Sequence, residues 1–435
     1  MAKVDKYMAR KKCEEPSIRF LGWRMVSLAC LCVNVGVGFT FGAYSTFMSS
    51  IITEFAASRS LASGGLSLMV ATMGLSAPLA SYAVRRWSIR ATLIAGTVLM
   101  AAGWMVVGTA INVWNFILGF GVLCGTATAF LVVVPPMTLI NNWFIALRGR
   151  AVGISMISIL LAIVPSLVAM GITAFGWRMT AFSISTISLA LAPLMTLVID
   201  HPEAVGQAAL GAESAESKDS STEGFETAAE KSNLLSDPVL WVLILCGGFY
   251  GAAGVSLGGH LVPFALGRGL DLSGAAFLAS IFGCAALVGG FVSGMVADRI
   301  GGARTFAIMA FIQFAIWPCL FLSYGYSFLA VCFALIGLCA NAMMPVITTL
   351  VANIFGRARF SRAMGLFSIS TTPVNILLPL IVGALYDVSG SYREVFLIYA
   401  ALFGVVGIAF CFIYRVEISR QSAPRVTAVA VAQGE

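Results

Sequence analysis

The polar side chains best placed for chemistry in this chain are set into long apolar stretches. Ser368, Thr371, Thr372 and Asn375 recur at positions i, i+3, i+4 and i+7, so one helix would carry all four on a single face. Such a face can hydrogen-bond a polar solute. Its hydroxyls can instead bond to their own backbone, where Pro373 leaves a carbonyl to satisfy. The pattern therefore indicates either a binding surface or a helix that satisfies itself.

His260 also lies in an apolar stretch, and imidazole changes charge near neutral pH. It is a candidate for binding an anion or a proton, with interfacial packing as the alternative. No Gly-rich phosphate loop, His-Glu pair or nucleophile elbow occurs in a suitable context. The ten cysteines include no Cys-x-x-Cys pair, which argues against a disulfide framework or a zinc site. We predict a protein that binds rather than catalyses, with no catalytic residues, cofactor or metal.

The composition indicates that the bilayer is the solvent of this chain. Hydrophobic residues make up 59% of it and charged residues only 10%, whereas soluble domains average about 25% charged residues. The net charge of +7 does not indicate nucleic-acid binding. The basic residues form short clusters beside apolar runs, as is typical of membrane proteins. The first apolar run is too long for a signal peptide, so we predict a retained span.

Twelve apolar stretches are long enough to cross a bilayer, which takes about 20 helical residues. The segment 200–236, rich in Glu, Ser and Ala, predicts a flexible acidic cytoplasmic linker. We therefore predict an all-α integral membrane protein of two six-helix halves. Its parts are a cytoplasmic tail at 1–24, bundles at 25–199 and 237–414, the linker between them and a cytoplasmic tail at 415–435. The twelve spans are at about 25–50, 61–84, 91–111, 113–140, 151–172, 179–199, 238–261, 274–297, 305–324, 326–353, 364–386 and 395–414.

The basic residues predict how these spans are oriented. If both termini are cytoplasmic, only Arg59, Arg178, Arg268 and Arg393 of the 26 Lys and Arg residues fall on the external side. Cytoplasmic loops of membrane proteins carry such an excess of positive charge. We therefore predict cytoplasmic termini and a location in the cell membrane, which is the inner membrane if the source is bacterial.

Corresponding turns of the two predicted halves repeat each other. The segment 142–153 is echoed by 353–365, and the pair 177–178 by 392–393, at nearly the same separation along the chain. Duplicated halves around a midplane site are the architecture of many secondary transporters. The alternative is that basic turns simply resemble one another.

The turn between predicted spans eight and nine carries a motif of Gly294, Asp298, Arg299, Gly301 and Arg304. A carboxylate at a helix C-terminus, such as Asp298, requires a cation or another helix N-terminus as its partner. The motif resembles the signature loop of the major facilitator superfamily, in which this loop is a cytoplasmic latch between bundles. The first-half copy departs from the pattern, with Arg85 in place of the acidic residue and Ser88 in place of the glycine.

Within the superfamily the chain is most similar to the monocarboxylate and oxalate–formate transporter branch, in the stretches 38–44, 143–153, 260–263 and 383–392. The resemblance implies a carrier that moves a small organic acid by alternating access. That branch usually has a cationic residue in span eight, but residues 284–294 carry no charge here. No predicted span core carries one, which favours binding through hydrogen bonds or carriage of a neutral solute.

The resemblance also implies a cavity lined mainly by spans 1, 4, 7 and 10, with help from spans 2, 5, 8 and 11. Polar residues on those spans are the candidates for substrate binding, and each has a helix-packing alternative. His260 is in addition the candidate for proton coupling. The set is Asn34, Tyr44, Tyr250, His260, Asn341 and Asn375.

Three functions remain open from the sequence. The first is secondary transport of an organic acid, foremost a monocarboxylate, by a monomer whose partners are the solute, lipid and protons. The second is drug or metabolite efflux, although exporters of the superfamily tend to have Gly-Pro in span five, where this chain has Val164-Pro165. The third is a transporter-like receptor that signals through 200–236, a segment without a recognisable docking pattern.

Overall fold

The computed structural model describes residues 20–211, 234–322, 325–341 and 343–422, and these residues are almost entirely helical. We number the longer helices in chain order, so the labels count helices and not membrane crossings. They are α1 Gly22–Phe55, α2 Arg59–Arg86, α3 Ile89–Gly108, α4 Val113–Trp143, α5 Arg148–Ser155, α6 Ile159–Ala190, α7 Pro238–Gly267, α8 Leu272–Ile300, α9 Gly302–Cys319, α10 Gly325–Ala340, α11 Met343–Ser389 and α12 Arg393–Ser422.

Eleven helical segments of the described residues are long and apolar enough to cross a membrane. One of them, Arg150–Met195, contains predicted spans five and six, and each of the others matches one predicted span. Gly176 interrupts this 46-residue segment with φ 82° and ψ 160°, a conformation that glycine adopts without steric cost. The segment would be about 69 Å long if straight, roughly twice the hydrocarbon thickness. This length is consistent with two crossings on either side of Gly176.

Helix α11 differs from the prediction because it continues through the basic turn expected between spans ten and eleven. No proline lies between Pro345 and Pro373, and no residue of that stretch has a positive φ. Nothing local therefore ends the helix there. The apolar stretches on the two sides of the basic segment, Gly325–Phe355 and Arg362–Ser389, remain the two predicted spans.

The described residues form two compact units, one of residues 20–56 and 64–211, the other of residues 57–63 and 234–422. Within the first unit α3 packs on α6, and within the second α9 packs on α12. Close approach of helices depends on glycine in both units. A methyl group on Gly125 of α4 would lie 1.9 Å from Thr72 Oγ1, and one on Gly289 of α8 would lie 1.8 Å from the Leu338 carbonyl oxygen. The two units thus repeat the same helix-packing devices.

One carboxylate in each unit closes the N-terminus of a neighbouring helix. Asp200 accepts hydrogen bonds from the first two N–H groups of α3, at 2.7 and 3.1 Å. Glu417 accepts from the first two of α9, at 3.4 and 3.1 Å. Asn142 donates to the Asp200 carbonyl and Asn353 to the Glu417 carboxylate, at 2.9 and 2.8 Å. These two asparagines belong to the repeated turns of the sequence, so the repeat has a common structural basis.

Residues 200–211, the beginning of the predicted linker, pack on the first unit. Leu210 donates its N–H to the Trp143 carbonyl at 2.9 Å and accepts from Ile145 and Ala146. Gln207 accepts from the Leu21 N–H at 3.1 Å. Residues 212–233, which carry most of the predicted linker, lie outside the described residues.

Candidate functional site

Three helices are interrupted inside their apolar stretches. Helix α1 contains a π-helical segment at Gly38–Gly42, and α4 contains two, Gly119–Cys124 and Ala129–Val133. Helix α10 ends at Ala340 and α11 begins at Met343, within a single predicted span. Since π-helical turns are rare and occur often at functional sites, these interruptions mark where a site is to be sought in each unit.

Prolines account for the second interruption of α4, at Ala129–Val133, and for the end of α10. Pro135 and Pro136 have no N–H to donate to the preceding turn of α4, and Pro345 leaves the Asn341 carbonyl without its helical donor. The two positions correspond in the two units. Within a bilayer, broken helices are tolerated only where the backbone is buried in protein or lines a cavity. In many transporters the binding site lies at discontinuous helices of this kind.

Two predicted amides lie beside the break in the second unit. Asn341 is exposed, and its Nδ2 lies 3.5 Å from the position of a methyl group on Gly290. Asn375 is half-buried, and its Oδ1 lies 3.8 Å from the corresponding position on Gly251. The Asn375 Nδ2 donates to the carbonyl one turn earlier at 3.0 Å. Among the described residues, no protein donor bonds the Asn375 Oδ1, so this oxygen and the Asn341 amide are uncharged groups free to meet a solute.

The two threonine hydroxyls of the predicted span-11 face bond to their own helix. Thr371 and Thr372 donate to the Ser368 carbonyl at 3.2 and 2.8 Å. Thr371 is also buried against Gly248, with its Cγ2 3.1 Å from a methyl group placed there. Asn375 is therefore better placed for binding a solute than either threonine.

Asn34 joins two helices of the first unit. Its Nδ2 donates to the carbonyls of Cys30 and Ile157 at 2.9 and 2.7 Å, and its Oδ1 accepts from the Leu160 N–H at 2.9 Å. These bonds occupy both ends of the amide and hold α1 to the start of α6. The geometry is that of a structural residue.

The two predicted tyrosines are both buried among aromatic rings. Tyr44 packs on Phe116 and Phe120, with ring centroids 6.3 and 5.0 Å away. Tyr250 donates its hydroxyl to the Cys339 carbonyl at 2.9 Å. That carbonyl lies in the last turn of α10, which lacks helical partners. Tyr250 thus stabilises the broken end of α10.

His260 is the hub of a hydrogen-bonded cluster in the second unit and is only 2% exposed. Ser63 uses its hydroxyl hydrogen on the Arg59 carbonyl at 2.6 Å, so it can only accept from the His260 Nε2, 3.1 Å away. The Pro379 carbonyl, 3.2 Å from the same nitrogen, also accepts. The proton is therefore on Nε2, and Nδ1 accepts from the Tyr392 hydroxyl at 3.0 Å. Every bond fits a neutral ring.

Arg59 and Asp387 complete this cluster. The Asp387 carboxylate accepts from the backbone N–H groups of Arg59 and Ser60, at 2.8 and 2.9 Å, and so caps the N-terminus of α2. The Arg59 guanidinium donates to the Tyr392 hydroxyl at 2.5 Å and lies 3.8 Å over the ring centre of Tyr386. Burial raises the pKa of Tyr392 well above its ordinary value, so its hydroxyl keeps the proton that it donates. We call this cluster the Arg59 clasp. Its members are Arg59, Ser63, His260, Tyr386, Asp387 and Tyr392.

The predicted cytoplasmic latch loop forms the turn between α8 and α9. Gly301 has φ 90° and ψ 153°, which requires glycine, whereas Ser88 at the matching position caps α3 by accepting from the Ala91 N–H. Arg304 lies 4.0 Å over the Tyr414 ring. Asp298 is exposed, as is Arg299, and makes no ion pair within the described residues.

Sequence reasoning did not select Arg59, Asp387, Tyr392 or Glu417 as site residues. The first three sit at helix ends, where charged and aromatic residues are common and their partners are distant in sequence. Asp387 and Tyr392 do fall in the 383–392 stretch that carries the resemblance, which was the available signal. Glu417 lies beyond the predicted end of span twelve, but α12 continues to Ser422 and buries it to 2% exposure.

Comparison with known proteins gives relatives over nearly the whole chain. Monocarboxylate transporter 12 of Rattus norvegicus is 25% identical over 89% of this chain and 85% of its own. Monocarboxylate transporter 2 of Homo sapiens is 25% identical over 86% of this chain and 82% of its own. A bacterial homologue of the human lysosomal transporter Spinster, in an inward-facing and occupied conformation, matches 94% of this chain and 100% of its own. Its TM-score is 0.71 at 14% identity, which shows a common fold.

The family profile agrees with the fold and with the repeated units. The description "Major Facilitator Superfamily" matches residues 30–301 and 264–429, which together span both units. An all-helical membrane protein with repeated helix packing and paired helix breaks has the architecture of a secondary transporter. The chain belongs to the Major Facilitator Superfamily of membrane transporters.

Proposed function

We propose that this transporter carries a small monocarboxylic acid by alternating access, with the acid taken up together with its proton. The relatives named monocarboxylate transporters support the substrate class. The observation that carries the proposal is the break between α10 and α11, where Asn341 and Asn375 present uncharged amides. A bare carboxylate would lose its hydration there without a cationic partner, at a cost of several kcal/mol. The neutral acid needs only one donor and one acceptor.

In our proposal the acid binds at this break, which lies within the second unit. The freed Asn341 carbonyl accepts the acid's O–H, and the amide donors of Asn341 meet its carbonyl oxygen. Tyr250 holds the end of α10 in place by its bond to Cys339. Binding by hydrogen bonds to a preformed break needs no buried charge.

Uptake into proteoliposomes tests this proposal. We expect saturable uptake of radiolabelled lactate, acetate or benzoate that accelerates when the outside is acid and declines with a protonophore. Protein-free vesicles are the essential control, because neutral acids cross lipid unaided. Counterflow between labelled and unlabelled acid checks carriage independently of the gradient.

The same vesicles distinguish the competing functions. Uptake no faster than in protein-free vesicles for every acid contradicts the proposal. Accumulation of hydrophobic cations instead would identify an efflux carrier, and solute binding without flux would identify a receptor.

A further inference from the structure

We propose that the Arg59 clasp is a releasable lock on the start of α2, closed around neutral His260 and opened when that ring gains a proton. The inference rests on the proposed transport function, since a lock matters only in a protein that cycles between conformations. In this role His260 does not contact the substrate. Its protonation state determines whether the clasp is closed.

Residues 57–63, which include the first turn of α2, belong to the second unit. The contacts that hold them there include Asp387 on two backbone N–H groups, Arg59 on Tyr386 and Tyr392, and Ser63 on His260. Each contact is a hydrogen bond or a ring–cation contact that can break and reform without moving a hydrophobic core.

The close fit beneath the clasp shows that it has a defined closed position. A methyl group on Gly383 would lie 2.6 Å from the Ser60 Cα and 2.8 Å from its backbone nitrogen. Gly383 therefore lets the first turn of α2 rest directly on α11, where the Asp387 carboxylate meets the positive end of the helix dipole. A residue with a side chain at 383 would keep the cap out of reach.

Protonation of His260 is incompatible with the closed arrangement. A second ring proton, on Nδ1, would point at the Tyr392 oxygen, which already accepts from Arg59. The Tyr392 hydrogen would then lose its acceptor, and two positive charges would share one phenol. The charged and titratable groups around the ring are Arg59 of α2, Tyr386 and Asp387 of α11, and Tyr392. Asp387 cannot offset the new charge by direct contact, because its oxygens are used by the α2 N–H groups.

This geometry predicts that lowering the pH opens the clasp. At neutral pH the ring is uncharged and the clasp is closed. As the pH falls, proton uptake favours the open arrangement, and closing the clasp expels the proton again. Conformation and proton occupancy are thereby linked.

Thiol labelling of the full-length protein in lipid nanodiscs tests the lock without any substrate. Ala62 is fully buried and takes no part in the clasp by its side chain, so Ala62→Cys reports opening. Val388→Cys, on a residue 89% exposed, corrects for the pH dependence of thiol reactivity itself. The labelling ratio of position 62 to position 388 should rise about tenfold between about pH 7.5 and about pH 5.5. Wild-type protein gives the background from native cysteines.

Two clasp variants make the test decisive. His260→Gln keeps a donor and an acceptor but cannot titrate, so the ratio should become independent of pH. Asp387→Asn weakens the cap, so the ratio should be high at both pH values. An unchanged pH dependence in His260→Gln, or a ratio insensitive to Asp387→Asn, would overturn the proposal. If Ala62→Cys does not fold, Leu61→Cys, on the half-buried neighbouring residue, serves as the reporter.

The outcome separates this inference from the proposed function. Labelling that responds to pH while no acid is transported would retain the clasp and reject the substrate. Saturable acid transport with labelling that does not change with pH would retain the proposed function and reject the clasp.

Discussion

Single carboxylates organise the helix ends of this transporter. Glu417 is 2% exposed and accepts from two backbone N–H groups of α9 and from the Asn353 amide. Asp200 and Asp387 each accept from two backbone N–H groups, of α3 and of α2 respectively. Each places a negative charge at the positive end of a helix dipole supplied by another part of the chain. Distant carboxylates therefore add to local caps such as Ser88 in setting where these helices begin.

The Glu417 cap should be measurable as stability. Glu417→Gln keeps the shape but removes the charge that three donors share, at a cost of about 1–3 kcal/mol. We expect the thermal unfolding midpoint in detergent to fall by several degrees. Glu203→Gln, a change in an exposed turn, is the matched control and should leave the midpoint unchanged. An equal midpoint for both variants would contradict a capping role for Glu417.

The sequence could identify polar candidates at this scale but not their partners. Asn34 and Asn341 look alike as amides in apolar stretches. Only the fold reveals that Asn34 is bonded at both ends to Cys30, Ile157 and Leu160 while Asn341 sits at a helix break. Side-chain spacing predicts a helix face, whereas the contact across it depends on how distant helices pack.

At the scale of elements, hydropathy was sufficient to locate the apolar stretches, because the bilayer imposes both length and polarity. It could not show that predicted spans five and six share one helical segment turned at Gly176, or that α11 continues through a basic turn. The paired breaks were also missed, although Pro135, Pro136 and Pro345 were visible in the sequence. Prolines kink or break membrane helices depending on what neighbouring helices supply to the freed carbonyls.

Removing the Asn341 amide at the α10–α11 break should lower acid uptake, whereas removing the Asn34 amide between α1 and α6 should lower stability. Asn341→Ala leaves the fold intact because the residue is exposed, and it should lower the rate of acid uptake about tenfold through loss of a binding hydrogen bond. Asn34→Ala should instead cost about 1–3 kcal/mol of stability, because buried backbone groups lose their partners. Uptake and unfolding midpoints measured on both variants separate the two roles. Equal loss of uptake at an unchanged midpoint would show that Asn34 also contacts the substrate.

At the scale of the whole molecule, two units use the same devices in the same places. Asp200 with Asn142 and Glu417 with Asn353 close equivalent helix ends, and Gly125 and Gly289 permit equivalent close approaches. The repeated turns of the sequence were enough to predict this duplication. The Arg59 clasp is made by residues of the second unit, and its Tyr392 belongs to the repeated pair that matches Trp177.

The side of the membrane whose pH the clasp senses depends on the orientation of the whole chain. Arg59 is among the few basic residues on the predicted external side, so a proton that opens the clasp would arrive from outside. In intact cells, a membrane-impermeant maleimide should label Val388→Cys, while Lys218→Cys in the predicted linker should react only after lysis. Wild-type cells give the background of the ten native cysteines. Labelling of position 218 in intact cells would reverse the orientation, and the same clasp would then respond to cytoplasmic pH.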